Sequence, residues 1–201
     1  MPDVRSELLE VVNDAYPEAF EAVTPTKPLG EEVFSRPAPH PNQVLNLFVQ
    51  QKLTSALPMA YYMAARRGVD SLMDRSLPQS AVLPPEVLQP AIKGLMALRE
   101  LELNETHRLI LVSKAPHSPA SCTPRKHIGS EVSDVHQRVI DRITGSSRFG
   151  TKVLEDFSLS GLCGDDSYGL CRTCVRGWEA GHVEVRKRVW DMLPNAFGLK
   201  C

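Results

Sequence analysis

Residues 170–199 of this chain read LCRTCVRGWEAGHVEVRKRVWDMLPNAFGL, and this stretch decides the fold. Its apolar and sulfur-bearing side chains recur every three or four residues, the period that places them on one face of an α-helix. The members of this stripe are Cys171, Cys174, Trp178, His182, Val185, Val189 and Leu193. We therefore predict a long closing helix, from about Tyr168 to Pro194, whose cysteines and tryptophans face the protein interior.

The composition is that of an ordinary globular protein. The 201 residues are 42% hydrophobic and 23% charged, with a formal net charge of −1. This near-neutral balance disfavours a dedicated nucleic-acid-binding protein. There is no apolar run of the roughly 18 residues that a membrane span needs, and the N-terminus does not resemble a signal peptide. We expect an intracellular protein whose five cysteines, an odd number, do not form a complete disulfide framework.

Helical periodicity interrupted by prolines extends over the rest of the chain. It predicts a mainly α fold, an irregular multi-helix bundle with proline-rich connectors and no extended sheet. We expect a single helical domain over 1–201. Its predicted parts are an N-terminal helix within 1–23, a proline-rich connector at 24–41, central helices over 42–113, a loop at 114–130 and a C-terminal helical subdomain at 131–201.

Local signals predict where the first central helices begin. Asn42 is expected to be the N-cap of a helix that carries Val44, Leu47 and Phe48. A second helix should start near Ser55, with Pro58 in its first turn.

Prolines also delimit the next helical segment. The sequence Pro84-Pro85-Glu86 should open it, and Pro90 should restart it, because proline inside a helix costs about 3 kcal/mol. Ile92, Leu95 and Met96 are expected to form its inner face. The run 109–112 is compatible with either a buried helix end or a short strand.

The closing helix also carries basic residues. Arg172, Arg176, Arg186, Lys187 and Arg188 alternate with acidic side chains, which favours a solvated face over a nucleic-acid patch. No nucleophile elbow, zinc-protease, Walker-type or dinucleotide-binding pattern occurs, so we expect no enzyme, no catalytic residues and no cofactor-binding residues.

Several short motifs resemble the region that follows the BTB/POZ domain in fungal BTB domain-containing proteins. They are the segments 39–48 (PHPNQVLNLF), 56–62 (ALPMAYY) and 83–85 (LPP), and the Leu-Cys-x-x-Cys to Trp-x-x-Leu-Pro-x-x-Phe-Gly-Leu ending. Residues 1–23 are similar to the tail of the BTB fold itself, whereas its central strands and dimerising helices have no counterpart here. The resemblance implies a C-terminal helical region involved in protein–protein interaction.

Relatives of this kind often carry two cysteine pairs, and Cys171 and Cys174 match the second pair. At the first pair only Cys122 is present, followed by His127. These four residues, Cys122, His127, Cys171 and Cys174, form a chemically complete set for tetrahedral structural zinc, with Cys163 as an alternative fourth ligand. Reduced cysteines packed in the core explain the same pattern without metal, and a disulfide or redox role is the third alternative. His182 lies about 12 Å along the helix from Cys174, too far for the same ion, and is expected to be a core histidine.

The leading functional hypothesis is a non-enzymatic protein–protein interaction or scaffolding module, with capacity for self-association and no role for membranes or nucleic acid. Trp178, Trp190 and Phe197 are its predicted structural anchors. The alternative is a zinc-dependent nucleic-acid or chromatin-binding module, which would require bound metal and salt-sensitive binding.

Overall fold

The computed structural model describes residues 39–114, Leu154 and residues 172–199. Helices account for 75% of this part of the chain, which contains no strand, so the prediction of a mainly α fold is confirmed. The helices are α1 (Pro41–Gln51), α2 (Leu57–Ala65), α3 (Val69–Leu72), α4 (Pro85–Lys114) and α5 (Arg172–Ala196), with a 3₁₀ turn at Gln79–Ala81.

Helix α1 begins two residues earlier than the sequence indicates. His40, and not Asn42, is the N-cap, and its Nδ1 accepts a hydrogen bond from the Asn42 backbone N–H at 3.2 Å. In return the His40 N–H donates to Gln43 Oε1 at 3.1 Å, which completes a capping box. Pro41 occupies the first helical position, where its missing N–H is no loss. The Asn42 side chain is thereby released to be buried in the core.

Helix α2 is buried on all sides, because its sequence is apolar all round. Seven of its nine residues, Met59 to Ala65, are buried, and Pro58 lies in the first turn as predicted. It packs against α1, which contributes the buried side chains of Val44, Leu45 and Phe48. Leu47 is exposed. The inner face of α1 is instead centred on residues 41, 44, 45 and 48.

Helix α4 is one continuous helix of 30 residues. It opens at Pro85 as predicted, but the prediction that Pro90 restarts it is wrong. Pro90 removes only the hydrogen bond to the carbonyl of Glu86, and Glu86 is exposed, so water can satisfy that oxygen. The ambiguous run 109–112 is helical. Of the predicted inner face, Leu95 is buried, Ile92 is half-buried and Met96 is exposed. The other buried residues of this face are Val87, Ala91, Gly94 and Leu98.

Helix α5 passes through Pro194 and ends at Ala196, two residues beyond the predicted stop. Its end is a Schellman motif, in which Leu199 N–H donates to the Pro194 carbonyl at 2.8 Å and Gly198 N–H to the Asn195 carbonyl at 3.0 Å. Gly198 has φ +68°, the left-handed conformation that this motif requires. The predicted inward stripe is confirmed at His182, Val189 and Leu193, all of which are buried.

The described residues divide into two compact units. Unit 1 contains residues 39–99 and 190–199, and unit 2 contains residues 100–114, Leu154 and residues 172–189. The predicted segments 1–23, 24–38 and 115–130, and the first part of the C-terminal subdomain up to residue 171 apart from Leu154, lie outside the described residues.

Candidate functional site

The core of unit 1 contains an aromatic contact that closes helix α5 onto the rest of the unit. Phe197 is only 2% exposed and stacks on Tyr61, with ring centroids 5.1 Å apart and an interplanar angle of 22°. The edge of its ring also lies directly against Gly94 of α4. A Cβ placed on Gly94 would overlap Phe197 Cδ1 and Cε1 and lie 2.9 Å from Cγ. Gly94 is therefore required where it is, despite the roughly 1 kcal/mol that glycine costs inside a helix.

Unit 2 buries charged and polar side chains. Arg186 is only 3% exposed, and Glu102 and His182 are also buried. Arg186 Nε donates a hydrogen bond to the backbone carbonyl of Leu154 at 3.0 Å, and Leu154 is itself fully buried. A buried guanidinium is tolerated only where its N–H groups find acceptors. Arg186 thus joins α5 to a segment 32 residues earlier in the chain.

A second arginine joins α5 to α4 within unit 2. Arg188 Nη2 lies 2.7 Å from Glu105 Oε2, and both side chains are largely buried, with 32% and 16% exposure. A further contact to Glu184, one turn away, is 3.9 Å long and involves a carboxylate that is mostly in solvent, so it contributes little. The prediction of a solvated basic face is therefore wrong at Arg186, whose side chain is buried. Arg188 is partly exposed and pairs with Glu105.

Side-chain amides attach helix α1 to the segment 71–82. Asn42 Nδ2 donates to the Ser71 carbonyl at 3.1 Å, and Asn46 Nδ2 donates to the carbonyls of Ser80 and Val82 at 2.9 and 3.0 Å. Gln43 Nε2 donates to Ser80 Oγ at 2.8 Å. Three amide side chains on one helix thus provide donors for a stretch with little regular structure. This arrangement holds the segment in place without any charged group from α1.

Two ionisable groups of unit 1 have shifted pKa values. Burial raises the pKa of Tyr61 above its usual value of 10.0, because the phenolate is poorly solvated there. Hydrogen bonds from the Ser76 hydroxyl and backbone N–H, 2.6 and 2.8 Å from Asp74 Oδ1, lower the pKa of Asp74, and the charge of His40 lowers it further. Asp74 is partly exposed, and the lowered pKa reflects these local hydrogen bonds.

Unit 1 leaves methionines on its surface. Met96 is 62% exposed, Met73 54% and Met192 43%, whereas Met59 and Met63 are buried in α2. Leu47 and Val82 are also exposed. A flexible, polarisable thioether side chain is common at protein-binding surfaces, since it adapts to different partners.

The structure gives a position to only some of the predicted site residues. Phe197 is buried, and Trp190 is partly exposed. Cys174 and Trp178 lie in α5, but their side chains are outside the described part. Cys122, His127, Cys163 and Cys171 lie outside it altogether. No group of three or more metal-binding side chains occurs among the residues that the structure describes. The zinc site therefore stays a prediction.

Sequence reasoning missed Gly94, Arg186 and His40. Gly94 lies on the stripe of Ala91, Leu95 and Leu98, and a glycine on the apolar face of a helix is a signal for close packing. Arg186 follows His182 by four residues and so shares its inward face. His40 was not predicted as the N-cap of α1, because histidine is an uncommon N-cap residue and Asn42, two residues later, is a favoured one.

Comparison with protein-family models, with curated proteins and with solved structures gives no match to this chain. Within the described ranges, no helix is both long enough and apolar enough to cross a membrane.

Proposed function

We propose that this chain is a non-enzymatic protein–protein interaction or scaffolding module. The observation that carries the proposal is the set of three methionines, Met73, Met96 and Met192, that unit 1 exposes. Exposed large apolar side chains gain free energy when a partner covers them, at about 25 cal/mol per Å² of apolar surface.

The polar contacts of the described residues also fit a scaffold. Asn42, Asn46, Arg186 and Arg188 each donate to an acceptor on another segment, so they serve to hold segments together. Catalysis needs titratable groups that converge on space for a substrate. The contacts above converge instead on backbone carbonyls and one carboxylate of the protein itself.

Replacing the three exposed methionines by glutamine tests this proposal. The triple variant Met73→Gln, Met96→Gln and Met192→Gln should melt close to the parent, because these side chains are already largely in solvent. Partners identified by crosslinking to the parent, then purified, should bind the variant at least about tenfold more weakly, which corresponds to 1.4 kcal/mol.

The matched control changes three exposed charged residues of α4 to glutamine: Glu86, Lys93 and Glu100. It should retain binding in the same titration. Equal affinity of the parent and the triple methionine variant for every purified partner would contradict the proposal.

We further propose that the chain derives from the C-terminal region of a BTB/POZ domain-containing protein, as the motifs in 39–85 and in the closing helix suggest. The proposal includes a structural zinc ion bound by Cys122, His127, Cys171 and Cys174. Native mass spectrometry of the parent and of the Cys→Ser variants at 122, 171 and 174 tests the metal. Absence of zinc from the parent, with full stability in the variants, would leave reduced cysteines as the explanation.

A further inference from the structure

The N-cap of helix α1 depends on the protonation state of one residue. His40 Nδ1 accepts the Asn42 N–H, so the ring must be neutral, with its proton on Nε2. The imidazolium form has N–H donors at both nitrogens and cannot accept. Its positive charge would also face the positive end of the helix dipole. Protonation therefore removes the side-chain half of the capping box.

Among the described residues, the elements that pack against α1 carry few charged groups. Helix α1 contains no charged residue at all. It packs on α2, whose titratable residues are the buried Tyr61 and Tyr62, and on the 3₁₀ turn, which has none. Helix α3, whose Ser71 carbonyl accepts from Asn42, carries the exposed Asp70, and the segment after it carries Asp74 and the exposed Arg75.

Asp74 is the carboxylate that interacts with His40. Hydrogen bonds from Ser76 lower the pKa of Asp74, and a positive charge on His40 would lower it further, so the imidazolium and this carboxylate attract each other. Both hydrogen bonds from Ser76 use Asp74 Oδ1, so the second oxygen, Oδ2, can meet a donor. The lowered pKa keeps this carboxylate ionised at the pH where an imidazole ordinarily titrates, about 6.5.

We propose that His40 is a proton-operated switch of helix α1, in which the neutral ring caps the helix and the imidazolium leaves the cap to pair with Asp74. The amides that hold the segment 71–82 come from Asn42, Gln43 and Asn46, in the first two turns of the same helix. Loss of the cap therefore loosens the end of α1 that positions this segment. The switch operates between about pH 5 and 7.5, within the range of cellular compartments.

Amide hydrogen exchange of the full chain, followed by NMR from pH 7.5 to 5, tests the switch. After correction for intrinsic exchange, the protection factor of the Asn42 amide should fall at least about fivefold as pH drops. In His40→Asn the side-chain oxygen accepts at every pH, so protection should stay constant. In Asp74→Asn the fall should occur at lower pH, because the carboxylate that favours the imidazolium is gone.

The other five histidines of the chain are retained in His40→Asn and provide the control. The same pH-dependent fall in His40→Asn would assign the effect to one of them and overturn the proposal. Constant protection of Asn42 in the parent down to pH 5 would overturn it equally. The amide of Phe48, in the interior of α1, should stay protected in all three proteins and shows that the helix itself remains folded.

Discussion

Unit 1 and unit 2 bury different kinds of side chain. The core of unit 1 consists of aliphatic and aromatic residues, such as Leu45, Phe48, Tyr62 and Leu95, with Asn42 as the one buried polar residue among those described. In unit 2 the described buried residues include Glu102, His182 and Arg186 beside Leu154 and Val189. The comparison teaches that helical periodicity predicts which positions turn inward, but not that the inward side chain is apolar.

The interiors of the two units should respond differently to amino-acid substitutions. An apolar core loses stability in proportion to the volume removed or added, through cavities and overlaps. A buried charged group loses it through unpaired donors and acceptors, because each such group has already left water. Substitutions in the two units should therefore destabilise the fold for different reasons. Their changes in the free energy of unfolding can be compared directly.

The largest effect is expected in unit 1, for Phe197→Ala. Removing a ring that is 2% exposed and stacked on Tyr61 should lower the free energy of unfolding by about 3–5 kcal/mol. Urea denaturation measures this loss. A change below 1 kcal/mol would show that Phe197 does not close the core of unit 1.

Gly94→Ala should come next, with a loss of about 2–3 kcal/mol from overpacking, because the added methyl group would overlap the ring of Phe197. The same substitution in an open helix would be stabilising by about 1 kcal/mol. In the Phe197→Ala background the loss should therefore shrink or change sign. Additive effects in this double-mutant cycle would contradict the contact.

In unit 2, Arg186→Met should cost about 2 kcal/mol, since it leaves the buried Leu154 carbonyl without its charged donor. Arg176→Met is the matched control, because Arg176 lies on the same helix but is exposed. The control should change the free energy of unfolding by less than about 0.5 kcal/mol. Equal effects of the two substitutions would remove the distinction between the interiors of the two units.

A smaller effect, of opposite sign, is expected at the end of helix α1. Lys52 has φ 55° and ends α1 in the same Schellman geometry as Gly198 ends α5, with Leu53 N–H donating to the Phe48 carbonyl at 3.0 Å. A non-glycine residue there costs about 1 kcal/mol. Lys52→Gly should therefore raise the melting temperature, and Gly198→Ala, where a Cβ meets no other atom within 4 Å, should lower it.

The smallest effect concerns pH and Tyr61. Its folded-state pKa is raised, so the folded protein binds this proton more tightly than the unfolded chain does. Stability from this group is fully present below pH 10 and falls as pH rises through the folded-state pKa. Tyr61→Phe should flatten the alkaline part of the stability profile measured by denaturation between pH 9 and 11. An unchanged slope would contradict the effect of burial.

Some elements of the fold could be predicted from the sequence and others could not. The apolar run of α2, the start of α4 at Pro85 and the inward positions His182, Val189 and Leu193 could all be predicted, because local periodicity and proline geometry act within one or two turns. The continuity of α4 through Pro90 could not, since it depends on whether the Glu86 carbonyl has access to water. Of the predicted zinc ligands only the backbone of Cys174 is described, so the zinc site stays a prediction.

By itself the sequence determined that the described part of the chain is helical and which face of α5 turns inward, because a helix repeats every 3.6 residues whatever surrounds it. Only the tertiary structure decided that Arg186 is buried, that Gly94 admits the ring of Phe197 and that His40 caps α1. These outcomes depend on atoms brought together from distant parts of the chain. Hydrogen bonding and packing between these atoms outweigh the preference that each residue type has for solvent or for a helical position.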